Sequence, residues 1–212
     1  AAQTGELRLT DTIVVNPAAL QPHSPVTERE AGGPVPLGTL CAAALQQSDN
    51  AAANLLLARV GGPPAITAFA RLIGDEQTRL DRWETDLNTA LPGDPRDTST
   101  PRALGGGIRT LLTGTVLDDT HRRQLDEWMR GTMTSARSMR AGLPADWTSA
   151  DKTGAGDYAS TNDVGIAYGP AGERILLSVM TRTRSDNPAA AALQSLIAEV
   201  TALVLPTLLG RG

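Results

Sequence analysis

Three short islands hold the residue types that move protons and bind anions: Ser48-Asp49-Asn50, Glu84-Thr85-Asp86-Leu87-Asn88 and Lys152-Thr153-Gly154. Glu84 and Asn88 stand four residues apart, so one helical turn puts both on the same side. A carboxylate and an amide converging there can hold and deprotonate one water, which is general-base work. The plain alternative is a solvated acidic loop, since Asp81, Asp86, Asp94 and Asp97 lie nearby. Lys152-Thr153-Gly154 is placed where a strand begins. There a lysine offers a point charge to a carboxylate, Thr153 a hydroxyl, and Gly154 lets a ligand approach the backbone. An incidental lysine at a surface strand end is the competing reading, although Lys152 is the only lysine among 19 basic residues. Ser48-Asp49-Asn50 reads as a turn and helix N-cap. The same tripeptide recurs as Ser185-Asp186-Asn187, where Asn187 before Pro188 reads as a helix cap and nothing more.

The elements that must position these islands follow from periodicity and punctuation. Prolines and glycines between Pro17 and Pro36 predict an opening of turns. Leu37, Leu40, Cys41, Ala44 and Leu45 recur on one helical face, and a second helix runs from Ala51 to Val60 before Gly61-Gly62. Pro63-Pro64 opens a third helix, with Gly74 as its terminator. Apolar period vanishes from Arg79 to Thr100, a long loop of the kind that is functional or disordered. Pro101 opens a further helix, whose Gly105-Gly106-Gly107 run predicts close approach to a neighbour. Asp118 and its neighbours cap a helix bearing Leu125, Trp128 and Met129. Val164, Ile166 and Tyr168 alternate as a strand, Gly169 to Gly172 turn, and Ile175–Met180 is a nearly continuous apolar strand. A last helix is predicted from Asn187-Pro188, bent or ended near Pro206. The fold class is α+β: residues 1–137 form a mostly helical lobe containing the Glu84 loop, and 138–212 supply antiparallel strands and the C-terminal helix, all one structural unit.

Composition narrows the function. A chain of 212 residues with 41% hydrophobic residues can bury a core, and its apolar runs are far shorter than a membrane span. The net charge of −4 argues against a nucleic-acid partner, which would need a basic stripe. One cysteine, Cys41, excludes an internal disulfide and a multi-cysteine metal site; with two histidines, His23 and His121, and no HExxH spacing, a zinc hydrolase is not expected and no metal or cofactor is called for.

Taken in order and spacing, the islands resemble those of class A serine β-lactamases. Ser24-Pro25-Val26-Thr27-Glu28, Ala51 to Leu57, Arg79 to Glu84 and Gly93 to Thr98 extend the likeness over essentially all 212 residues, with actinobacterial members in particular. The resemblance implies the β-lactamase/transpeptidase-like fold, secretion to the periplasm, medium or cell envelope, β-lactam substrates, and hydrolysis through an acyl-serine intermediate. It assigns Glu84 to activation of the deacylating water and Ser48 to proton relay to the leaving lactam nitrogen. Lys152, Thr153 and Gly154 would bind substrate, the Ala155 N–H would be one of two oxyanion-hole donors, and Asn50 and Asn88 would contact substrate or water. Arg82 and Asp97 match an ion pair that closes the loop, an omega loop, and a cis peptide would follow Glu84. His23 matches a position where relatives place an aromatic at the pocket mouth, or is a surface histidine. Relatives carry a carboxylate-binding arginine near the place of Thr161; here Arg137, Arg182 or Arg184 could substitute. Cys41 either packs as a small apolar residue or pairs elsewhere.

One part of the family's machinery does not match. The acylated serine comes from Ser-x-x-Lys on an upstream helix, and no lysine precedes Lys152. The literal match Ser149-Ala150-Asp151-Lys152 runs into a strand, where residues three apart point to opposite faces and cannot meet. The expectation is that a first helix, two strands and the nucleophile helix lie outside these residues, possessed by a complementing segment. Without it the chain alone would be inactive, and the Ile175–Met180 strand would expose an apolar edge. Two other readings stand beside this one: a penicillin-binding transpeptidase or carboxypeptidase, which shares the outer islands but has no need of rapid hydrolytic deacylation, and a non-catalytic module that binds a partner segment.

Overall fold

The computed structural model describes residues 1–210. Two three-residue strands, β1 (Thr12–Val14) and β2 (Pro34–Pro36), pair antiparallel in what the sequence reading took for turns. Pro34 and Pro36 are the two ends of β2 itself, and proline in a run argues against a strand unless it lies at an edge. Val15 and Val35 from this ribbon are buried with Leu37, Leu40 and Ala43 of α1 (Leu37–Gln47) and Ala52 of α2 (Asn50–Val60). Helix α3 (Pro63–Leu72) starts at its proline pair, and the chain then runs irregularly to α4 (Pro101–Thr113), broken only by a 3₁₀ turn at Asp86–Asn88. Helix α5 (Asp119–Arg130) is capped by Asp118, whose side chain accepts from His121 N.

The second half is a three-stranded antiparallel sheet in the order β3 (Thr148–Ala155), β4 (Thr161–Tyr168), β5 (Arg174–Thr181). Lys152-Thr153-Gly154 therefore lies in the second half of a strand that starts at Thr148, not at a strand's beginning. Six of the eight β4 residues, Thr161 and Asp163 to Ala167, are buried, as expected of the middle strand. Gly105 of α4 sits tight on β5: a Cβ there would stand 3.1 Å from Ser178 Cβ, while Gly106 faces open space. The close approach expected for the glycine run thus rests on its first member. No described helix is long and apolar enough to cross a membrane.

The last helix, α6 (Gln194–Leu208), begins six residues later than Pro188 and continues past Pro206. Asn187 Oδ1 accepts from Ala189 N in a local turn, so Asn187 caps no helix. The Pro188 carbonyl accepts from Tyr158 N, and Leu193 N donates to Thr161 Oγ1. Hydrogen bonds to the β3–β4 turn hold Pro188–Leu193 out of the helix that its alanines favour. Propensity is a weak prior against such tertiary contacts.

Candidate active site

Asp49 is the keystone of the Ser-Asp-Asn turn. It is fully buried and caps α2, with Oδ1 accepting from Ala52 N at 2.9 Å and Thr27 Oγ1 at 2.8 Å. Its Oδ2 accepts from Val26 N and Thr27 N, both at 2.9 Å. These bonds fix the turn against residues 24–27 and hold Ser48 in the left-handed region at φ 53°. Asn50 is fixed too, donating through Nδ2 to the Pro22 carbonyl at 2.8 Å and through its backbone to the His23 carbonyl. His23 stands beside the turn with Nε2 2.8 Å from the Gln47 carbonyl.

Across 104 residues of sequence, Lys152 Nζ donates to Ser48 Oγ at 2.5 Å and to the Thr153 carbonyl at 2.6 Å. Burial pulls the Lys152 ammonium below the ordinary lysine range, opposed by the charges of Asp163, Glu84 and Asp151. Thr153 Oγ1 lies 2.6 Å from Thr134 Oγ1, a contact that sequence reading missed. Gly154 and Ala155 are exposed at the end of β3. Ser149 does not meet Lys152: its hydroxyl is bonded to Asp151 and Arg140.

Glu84 and Asn88 do converge, Asn88 Nδ2 donating to Glu84 Oε2 at 2.6 Å. Glu84 Oε1 has no protein donor among the described residues. Burial raises the Glu84 carboxyl above the ordinary range, while the Asn88 bond and Lys152 pull it down. The peptide from Glu84 to Thr85 is cis. Asn54 holds the glutamate's backbone from both sides, accepting from Glu84 N and donating to Glu84 O, each at 2.9 Å. It stands four residues after Asn50 on α2, and that spacing of two amides was the available signal. On the far side, Asp157 N donates to the Asn88 carbonyl at 2.9 Å, and a Cβ on Gly156 would collide with that carbonyl.

The loop is latched at its base. Arg82 Nε donates to Asp97 Oδ2 at 2.6 Å, and Asp97 Oδ1 accepts from the backbone of Asp81 and Arg82. Arg82 also reaches Thr89 Oγ1 at 2.9 Å, tying both ends of the segment bearing Glu84. The Asp97 side chain is 2% exposed. Arg82→Ala strands that carboxylate, so it is expected to cost about 3 kcal/mol. Chemical denaturation should show the loss, with limited proteolysis cutting between residues 82 and 97.

The site thus assembles a lysine on a serine, and a carboxylate–amide pair on a latched loop, from elements far apart in sequence. Residues 1–205 match the β-lactamase enzyme family. The chain belongs to that family. Among relatives of this β-lactamase-family chain, the Escherichia coli β-lactamase CTX-M-25 is 46% identical over 185 residues, covering 87% of this chain and 63% of the relative. β-Lactamase AST-1 of Nocardia asteroides is 47% identical over 191 residues, 90% of this chain and 61% of the relative. A crystal structure of a β-lactamase from Desulfarculus baarsii superposes with a TM-score of 0.94 at 43% identity, covering 98% of this chain and 77% of that one. An ancestral class A β-lactamase gives 0.91 at 46% identity, over 97% and 78%. The α+β fold, helices with a three-stranded antiparallel sheet, is therefore the class A β-lactamase fold. The chain spans about three-fifths of the length of the first two relatives.

Proposed function

We propose that this chain provides the deacylating and substrate-anchoring part of a class A serine β-lactamase, which hydrolyses β-lactams through an acyl-serine. The observation that carries the reading is Glu84, half-buried and bonded to Asn88 with one oxygen left for a water. An enzyme that only transfers acyl groups has no use for a poised base there, which favours hydrolase over transpeptidase. In this reading Ser48, held by Lys152, relays the proton to the departing lactam nitrogen. Lys152, Thr153 and Gly154 take the substrate carboxylate, the Ala155 N–H polarises the lactam carbonyl, and Asn50, Asn88 and His23 line the rest. The division at residue 137 belongs to the same proposal: Glu84 and Ser48 come from the helical lobe, Lys152 from the sheet.

The acylated serine is assigned to residues outside these 212, since Lys152 is their only lysine and is committed to Ser48. Among the described residues β5 pairs with β4 alone, so its other edge is the place proposed for the strands of a segment bearing that serine. The chain by itself would then be inactive and would fold only with that complementing segment. Secretion or retention in the cell envelope is part of the reading, supported by the family. So is an actinobacterial affiliation, supported by the Nocardia relative, with the Escherichia coli relative nearly as similar.

Turnover of a chromogenic cephalosporin tests the whole. Hydrolysis by protein that includes the serine, lost in Lys152→Ala, supports it; no hydrolysis and no acylation contradicts it. Among the arginines, Arg137 is the assigned carboxylate partner, because its segment reaches the site through Thr134 and Thr153, whereas Arg182 stands over the Tyr158 ring. Arg137→Ala is expected to raise KM about tenfold with kcat nearly unchanged, as loss of one charged hydrogen bond does. Arg182→Ala and Arg184→Ala should leave KM within about twofold.

A further inference from the structure

Behind Lys152, two carboxylates are buried side by side. Asp151 and Asp163 are 0% and 1% exposed. In the β3–β4 register Asp151 faces Gly165 and Thr153 faces Asp163, so the two aspartates are diagonal neighbours on one face of the sheet. Gly165 leaves one intervening corner empty, and a Cβ there would strike Asp151 Cβ at 2.6 Å.

Each carboxylate spends one oxygen fully. Asp151 Oδ1 accepts from Ser149 Oγ at 2.5 Å and from Arg140 Nε at 3.2 Å. Asp163 Oδ2 accepts from Ser135 Oγ and Met139 N, both at 3.1 Å. The other two oxygens, Asp151 Oδ2 and Asp163 Oδ1, are buried with no hydrogen-bond partner among the described residues, as is the nearby Ser138 hydroxyl. Unpaired buried acceptors are costly, and two ionised acceptors cannot satisfy each other. One proton placed between them satisfies both.

The charges point the same way. Among the described residues Arg140, in the 3₁₀ turn Met139–Gly142, is the one cation bonded to the pair, while the Lys152 ammonium is turned to Ser48. We propose that Asp151 and Asp163 share a single proton, Asp163 Oδ1–H donating to Asp151 Oδ2, and that this pair is a positioning element that sets the charge behind Lys152. Burial and the neighbouring Asp151 hold the Asp163 carboxyl up to about 6, so the pair passes from one negative charge to two near that pH. The folded chain binds this proton more tightly than the unfolded one, so its contribution to stability is present at acid pH and lost as pH rises through about 6. Only the consequence for Lys152 rests on the proposed function; the shared proton does not.

With these 212 residues labelled and the complementing segment left unlabelled, lysine labelling reports on Lys152 alone, since it is the only lysine of the 212. The experiment is a pH titration by NMR of the folded protein, complementing segment included, with ¹³C-labelled aspartate carboxyls and labelled lysine in these 212 residues. One aspartate signal is expected to titrate near pH 6, well after the others, and the Lys152 signal should step at the same pH. In Asp163→Asn, whose amide can donate as the shared proton does, both steps should vanish with the fold intact. Asp151→Asn serves the same test if that variant fails to fold. Ser138→Ala should keep the late step, because the hydroxyl is not its source. The proposal is overturned if every aspartate is ionised by about pH 5, or if the late step survives both Asn variants. Absence of β-lactam turnover would leave these signals in place, so the two failures are distinguishable.

Discussion

In protein that includes the proposed serine, Glu84→Gln is expected to lower kcat for β-lactam hydrolysis by roughly 10²–10⁴-fold, the range a positioned general base contributes. Acylation does not need this carboxylate in the proposed scheme, so the variant accumulates covalent acyl-enzyme. A fast burst followed by a stalled steady state is the expected time course. The amide keeps the size of Glu84 and can still meet Asn88, so a loss of folding would not explain the result; circular dichroism of the variant checks this. The pH profile follows from the same geometry. In the proposed scheme Glu84 acts ionised, and burial raises its carboxyl, so the acid limb of kcat should lie above the ordinary glutamate range. In the same scheme Lys152 acts as a cation toward the substrate, and burial lowers its ammonium, so the alkaline limb should lie below the ordinary lysine range. Both shifts narrow the bell. In Glu84→Gln the acid limb of the residual rate should disappear.

Asp49→Ala is expected to destabilise the protein by about 4 kcal/mol, more than any other single change in the Ser-Asp-Asn turn. The carboxylate is fully buried and accepts four hydrogen bonds, three from backbone N–H groups. Truncation strands all four donors and removes the N-cap of α2, a loss of about 1 kcal/mol in itself. For a chain of this size the midpoint of thermal unfolding should drop by roughly 10 °C. Ser48→Ala, in contrast, removes one partner of Lys152 and should barely move that midpoint while slowing turnover. Thermal unfolding of the two variants side by side separates a residue that holds the turn from one that uses it.

The helices were legible because each has a stop and a face: Pro63-Pro64, Gly61-Gly62, the Asp118 cap. The strands Thr161–Tyr168 and Arg174–Thr181 were legible from alternation and the turn between them. What escaped was set by distant partners. Strands of three residues carry too little period to be seen, and β2 begins and ends with proline. Pro188–Leu193 has helical composition but is captured by Tyr158 and Thr161. At the site, local spacing predicted the Glu84–Asn88 contact, but the two meet across a cis peptide and the 3₁₀ turn Asp86–Asn88, not on the α-helical turn the spacing implied. The meeting of Ser48 and Lys152 was reached only through resemblance, since no local pattern spans 104 residues. Asn54, Thr134 and the buried Asp151–Asp163 pair were missed, because their roles depend on which residues the fold sets opposite them.

Intact-protein mass, with and without an excess of a slowly deacylating β-lactam, tests the central claim most directly. Drug mass is expected to be gained once, and only by a polypeptide that carries residues beyond the 212, either a longer chain or a companion fragment. The 22.1 kDa chain alone should gain nothing. A 22.1 kDa chain that takes up one drug mass would place the nucleophile inside these residues and contradict the assignment. A serine-bearing preparation that never gains drug mass would contradict the proposed chemistry altogether.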